Sequence, residues 1–225
     1  MSKPIVLGIA LILLLIAALT LVYYFQPSRA SGTIYVRADG TIDPSTVPIS
    51  TVDKITYYFS NNIFFNSSRT SGIVIERNNI IVDGKGYTFE GLWDGYVFFT
   101  ENGFFLHNVN NVTIQNVTIK NFHYGIHTDA ASNCSLLGTT IYAEASILVY
   151  DSFNVTISGN DLTSIGYHGA GDPPLTIASS SDNIISDNHM HSEYAYGFSM
   201  ENDSSCNTVF KNEIFGGVRL SSSFN

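Results

Sequence analysis

Asn110 to Asn121, NNVTIQNVTIKN, decides the fold, because it reads as two short strands turning a corner and the chain keeps restating it downstream. In each restatement two apolar residues stand five apart: Ile114/Ile119, Leu136/Ile141, Ile157/Leu162, Ile185/Met190 and Val209/Ile214. Their first members are separated by 22, 21, 28 and 24 residues. A repeat of this length marks a stacked architecture. The units are rich in β-branched, aromatic and Asn residues, alternate in polarity, and hold no 3.6-residue apolar period, which speaks against helical repeats. About 22 residues suffice for three short strands and three bends, which is one coil of a parallel β-helix. Such a coil cannot bury its inner face alone, so each strand must pair with its equivalents above and below.

Working outward, IYVRADGTIDPSTVPI, GIVIERNNIIVDGKGYTFEG and NNVTIQNVTIKNFHYGIH together resemble the right-handed parallel β-helix proteins of the NosD-like, carbohydrate-binding and sugar-hydrolase group found on archaeal surfaces. The resemblance runs from about Thr33 to Leu220. It implies an all-β solenoid of PbH1-type repeats, about six coils long. That group includes copper-delivery proteins, polysaccharide lyases, epimerases and surface proteins, so the resemblance implies a fold more sharply than an activity.

Composition sets the outer bounds. The 225 residues are 44% hydrophobic and 13% charged, enough for one sizeable core, and the net charge of -9 excludes the basic stripes that nucleic-acid binding needs. Acidic surfaces suit cations or neutral sugars. The two cysteines, Cys134 and Cys206, lie three coils apart, which at about 4.8 Å per coil is too far for a disulfide. Both are expected to be free thiols.

Residues 4–25 are almost wholly apolar and, at about 1.5 Å per residue, long enough as a helix to span about 30 Å of hydrocarbon. Lys3 and the amino terminus favour a cytoplasmic start, with Tyr23 and Tyr24 at the outer interface and the rest of the chain outside the cytoplasm. A cleaved signal is the rival reading, because Ser28 and Ala30 are small residues at the spacing a signal peptidase accepts. The expected organisation is therefore an anchor and linker over 1–30, an irregular cap over 31–77, and coils over 78–225. The ending VRLSSSFN lacks the next Asn-apolar corner, which suggests a C-terminally truncated solenoid.

Several motifs carry candidate chemistry. In the second strand of each unit the residue five past the first anchor points inward, so its neighbours point outward. Asp161, His189 and Glu213 should then be lateral neighbours, with His191 further along the strand. A His-x-His strand flanked by carboxylates can ligate Cu or Zn, and the carboxylates alone suit Ca. The bland alternative is a solvated strand face. The Gly- and Pro-containing insertion SIGYHGAGDPP emerges beside Asp161, so Tyr167, His168 and Asp172 should overhang the same face. Trp93, Tyr96, Phe98 and Phe99 in the long coil over 78–109 form a second candidate saccharide platform, or core packing beside the cap.

Sequons at Asn66, Asn111, Asn116, Asn133, Asn154 and Asn202 are glycosylation candidates, although Asn-Val-Thr also recurs because Asn fits the bend and Val and Thr the strand. Asn160, Asn188 and Asn212 form an expected internal ladder, attributed to tolerance of the left-handed backbone at a tight corner. No catalytic residue stands out: coils two to six contain only Lys120, Lys211 and Arg219 as strong bases, none beside an Asp cluster. Taken together these features predict a membrane-anchored, cell-surface module for a polysaccharide or surface-layer glycan, with no nucleic-acid partner. The alternatives are a lyase, epimerase or hydrolase on the same fold, and a NosD-like copper-handling protein. Glycosidase chemistry would need two carboxylates about 5–9.5 Å apart, a spacing that Asp161 and Glu213 approach.

Overall fold

The computed structural model describes residues 9, 11–18, 28–67, 69–93, 100–166, 171–192 and 194–221. Each coil contributes three strands, seen in the central one as Val112–Gln115, Thr118–Lys120 and Tyr124–Asp129. We call the sheets that these strands join the first, second and third. They hold eight, eight and nine strands, and every pairing between coils is parallel. Among the described residues seven coils place a strand in all three sheets, the last through Thr208–Phe210, Glu213–Phe215 and Val218–Ser221. The all-β parallel solenoid expected from the repeats is therefore the observed architecture.

The stretch expected as an irregular cap is more regular than its sequence suggests. Thr56–Phe59, Ile63–Phe65 and Ile73–Ile75 form a complete coil, and Ser28–Ala30 and Ile34–Val36 begin one below it. Only Ile42–Asp43 and Ile49–Thr51 run antiparallel, folding across the edges of the third and first sheets. Two antiparallel strands are enough to blunt those edges against pairing with other chains.

The anchor residues stack as their spacing predicts. Ile114, Leu136, Ile157 and Ile185 form one fully buried column, and Ile119, Ile141, Leu162 and Met190 a second. In the N-terminal coils the interior is filled by Phe59, Phe65, Phe89, Phe104 and Phe122, whose neighbouring rings lie 4.9–6.4 Å apart. Such aromatic pairs add to the area they bury. Towards the C-terminus polar ladders take over. Asn188 accepts from the Asn160 backbone N–H at 3.0 Å and donates to the Ile157 carbonyl at 2.9 Å, and Asn160 and Asn212 repeat the pattern. Ser152, Ser180 and Ser204 form a further ladder at the turn after the third sheet.

The ladder is structural, but its backbone explanation needs correcting. The left-handed corner residues are Asn116, Gly138, Gly159, Asp187 and Lys211, with φ between 52° and 67°, each one position before the ladder. The ladder asparagines themselves do not have positive φ. They are selected because an inward amide both accepts from and donates to corner backbone groups that the sheets leave unpaired.

Of the expected span over 4–25, the described residues 9 and 11–18 are helical, with apolar side chains exposed. Among the described residues no helix is long and apolar enough to cross a membrane. Lys3, Tyr23 and Tyr24 lie outside the described residues.

Candidate functional site

The outer face of the second sheet carries the row read from the repeat. Asp161 pairs in register with His189, and His189 with Glu213. The His189 Nδ1 and Asp161 Oδ1 atoms are 3.0 Å apart, on side chains each close to half exposed. His191 lies beside Phe215, with ring centroids 6.0 Å apart. The strand therefore aims these residues as expected, but it brings only Asp161 and His189 into direct contact. Among the described residues no three His, Cys, Asp or Glu side chains gather in a way that could hold a metal ion. The strands that carry the row are three or four residues long, and in-register pairing spreads its members along the axis.

Tyr167 and His168 lie outside the described residues, as do Tyr96, Phe98 and Phe99. Trp93 is exposed at the end of its strand segment. The returning limb of the insertion is described, and it departs from expectation. Ser164 Oγ donates to the Asp172 carbonyl at 2.6 Å, and Asp172 and Pro173 line the face of the third sheet, away from Asp161.

That third face is concave. Its strands are longer, six residues each in Asn102–His107, Tyr124–Asp129 and Ala145–Tyr150. At their entry Gly72, Gly103, Gly125 and Gly197 occupy one inward column, where a Cβ would collide with the adjoining coil: at Gly125 it would lie 2.6 Å from the Ser146 carbonyl oxygen. Two positions after these glycines the strands join the outward row, which runs Phe105, His127, Leu148, Thr176, Ser199, Arg219. Two adjoining hollows result. One, of about 500 Å³, is lined by Arg69, Glu101, Asn102, Phe105, His123, Tyr124 and His127. The other, of about 290 Å³, is lined by Tyr124, Leu148, Tyr150, Asp172, Ser199, Glu201 and Arg219. Tyr124 lines both, so they adjoin there and follow one another across the strands, along the helix axis; together we call them the groove.

Its groups are chemically tuned. His127 packs between Phe105 and Tyr124, with ring centroids 5.1 and 5.3 Å away, and its Nδ1 lies 3.2 Å from Asn102 Oδ1. An amide oxygen only accepts, so Nδ1 carries the proton and Nε2 is left as the basic atom. Burial pushes the His127 pKa below its ordinary value, and His107 and His123 push the same way against Asp129. Burial likewise raises the Tyr124 phenol, helped by the Asp172 and Glu144 carboxylates. His123 Nδ1 stands 2.8 Å from Glu144 Oε2. Perturbed groups collected in a cleft are the pattern of a working surface.

A third hollow, of about 470 Å³, opens at the corner beside Asp83 and Lys85. There burial works to raise the Asp83 pKa, but hydrogen bonds from Lys85, Gln115 and Asn116 outweigh it and hold the carboxylate below its usual range. These contacts tie neighbouring corners together and make a structural brace.

The sequons divide by structure. Asn111, Asn116, Asn133, Asn154 and Asn202 all take positive φ. The amides of Asn111 and Asn154 donate along the axis to Asn79 and Asn133, and that of Asn116 to Asp83. All six sequon asparagines are exposed, and Asn66 is the one without positive φ. Cys134 and Cys206 are free thiols, one buried and one exposed, as their coil separation requires.

Sequence reasoning missed the groove because it followed the two-strand corner and not the third strand. The overlooked signal is a glycine before an apolar residue, in Asn102-Gly103-Phe104, Tyr124-Gly125-Ile126 and Tyr196-Gly197-Phe198.

A search of curated proteins finds no match. The profile of the family described as "right handed beta helix region" matches residues 33–171 and 96–224, two overlapping spans that together cover most of the sequence. With its parallel three-sheet coils and this match, the chain belongs to the right-handed β-helix family.

Proposed function

We propose that the protein is a saccharide-binding module held at the outer surface of a membrane, with the groove of the third sheet as its binding site. The observation that carries this reading is the pair of hollows that adjoin at Tyr124, lined by the aromatic side chains of Phe105, Tyr124 and Tyr150 together with carboxylates and amides. Aromatic faces stack on sugar rings, while convergent polar groups fix hydroxyl orientation. A groove that crosses successive coils suits an extended polymer, such as a polysaccharide or surface-layer glycan. The apolar residues 4–25 would be the anchor, with the solenoid outside the cytoplasm. Within the β-helix family the NosD-like and carbohydrate-binding group on archaeal surfaces is the narrower placement, on the motifs quoted above.

The test is a glycan-array screen of the full-length chain in detergent, followed by titration of the best ligands. Tyr124→Ala is expected to weaken binding at least about tenfold, since truncating a central aromatic anchor commonly costs more than 2 kcal/mol. Undiminished affinity would overturn the groove as the site. For the anchor, deletion of residues 4–25 should release the protein from carbonate-washed membranes, and continued sedimentation would contradict it.

A second reading, a polysaccharide-active enzyme, is favoured by one observation. The rings of His127 and Tyr124 lie 5.3 Å apart, and burial favours the neutral imidazole and the protonated phenol, a base and an acid within one cleft. Release of reducing or unsaturated sugar ends by wild type and not by His127→Ala would establish it.

A further inference from the structure

We propose that the smaller hollow is a subsite for a sugar unit carrying a free, protonated amine, an inference that rests on the groove being the saccharide site. Ser199 is the starting observation. It is 2% exposed, and its Oγ is buried without a hydrogen-bond partner. Yet it sits in the outward row between Thr176 and Arg219 and lines the hollow. A buried hydroxyl without a partner costs stability, so a site that retains one is arranged for a partner that arrives later. A sugar hydroxyl supplies both donor and acceptor. The other such group among the described residues, Thr128 Oγ1, belongs to the inward row between Leu106 and Val149.

Charge selects among sugars. Asp172 and Glu201 line the hollow against the single cation Arg219, which lies 4.0 Å from Glu201. Asp172 stands on the opposite limb, close enough to Tyr124, together with Glu144, to bear on its phenol. Glu144 is met by His123, which leaves the Asp172 side of the Tyr124 ring as the place where a cation gains most. An ammonium group there meets a carboxylate and an aromatic face together. An N-acetyl group brings no charge to that position, and a uronate adds a like charge to an already acidic wall. The volume of about 290 Å³ lies at the small end for ligand sites and suits about one sugar ring, with the next unit continuing past Tyr124 into the larger hollow. Ser164 fixes the Asp172 backbone through its carbonyl, so the acidic wall is held in place before any ligand enters.

The experiment titrates the full-length protein in detergent with three hexamers: glucosamine, N-acetylglucosamine and galacturonate. The glucosamine hexamer should bind at least about tenfold more tightly than the N-acetylated one, with galacturonate weakest, as expected for one desolvated charge contact. Asp172→Asn should reduce the amine preference to less than about threefold, and Ser199→Ala should weaken both amino-sugar ligands while keeping their ratio. Far-UV circular dichroism and thermal midpoints matching wild type confirm that these variants fold. Equal binding of the two amino-sugar hexamers, or a preference that survives Asp172→Asn, would overturn the subsite and leave the groove standing. Binding that ignores Tyr124→Ala would remove the groove itself.

Discussion

The outer faces of the second and third sheets are built by the same coils in parallel register, yet the Asp161–His189–Glu213 row of one stays spread along the axis while two adjoining hollows open in the other. The difference lies in what frames each strand. Second-sheet strands such as Thr118–Lys120 and Asp161–Ser164 are three or four residues long and start just after sharp corners at Asn116 and Gly159. Third-sheet strands such as Tyr124–Asp129 reach six residues and are walled by a returning insertion limb at Asp172 and Pro173. Of the second-sheet row only Asp161 and His189 meet, whereas Tyr124 packs on His127 in one hollow of the third sheet and also lines the hollow that holds Ser199. Register decides where a side chain points, and strand length with flanking loops decides whether neighbours face one another across space.

The largest effect should follow from breaking the base of the grooved face. At Gly125 any Cβ meets the Ser146 carbonyl oxygen at 2.6 Å, so Gly125→Val should destabilise the fold by about 3 kcal/mol in urea unfolding, at the upper end for overpacking. Gly159 lies at a corner with φ of 67° and nothing within 4 Å of a built Cβ. Gly159→Asn there should change stability by less than about 1 kcal/mol, because Asn tolerates the left-handed region. Equal losses at both positions would mean that the third sheet is no more tightly packed at its entry than the corners are.

Next in size is the inner support shared by both faces. Asn188→Leu would leave the Asn160 N–H and the Ile157 carbonyl without their partners, at a cost of about 2–3 kcal/mol. The same measurement on Asn154→Gly, which removes the exposed amide ladder to Asn133 while keeping a residue suited to the φ of 54°, should give less than about 1 kcal/mol.

The smallest effect is a pH dependence confined to the grooved face. Because burial depresses the His127 pKa in the folded state, the unfolded chain takes up its proton first as pH falls. The stability that neutral His127 preserves is complete above the unfolded value of about 6.5 and is lost as pH drops through the depressed folded value. His127→Gln should flatten that part of the stability profile between neutral and mildly acid pH. A profile that keeps its slope would contradict the burial.

What the sequence made legible follows the same division. The five-residue anchor spacing gave the buried columns and, through them, the outward direction of Asp161, His189 and Glu213, because alternation on a strand is a local rule. It also separated Cys134 from Cys206 correctly. The position of the left-handed corner was misjudged by one residue, since Asn suits both an αL corner and an inward amide ladder, and only the backbone distinguishes Asp187 from Asn188. Ser199 offered no signal at all. Its importance depends on an unsatisfied hydroxyl in a hollow that Asp172, 27 positions earlier in the chain, also lines, and no short-range pattern encodes that juxtaposition.

Each face carries its own accessible carboxylates, which permits a direct test of where the ligand sits. Carbodiimide labelling with glycine ethyl ester, read by mass spectrometry with and without a saturating oligosaccharide from the array screen, compares Asp172 and Glu201 in the groove with Asp161 and Glu213 on the second sheet. The groove account predicts that ligand slows labelling of Asp172 and Glu201 several-fold, about as expected for burial of a sugar ring against them, and leaves Asp161 and Glu213 unchanged. Protection of Asp161 and Glu213 with unchanged labelling in the groove would contradict it and assign binding to the second sheet.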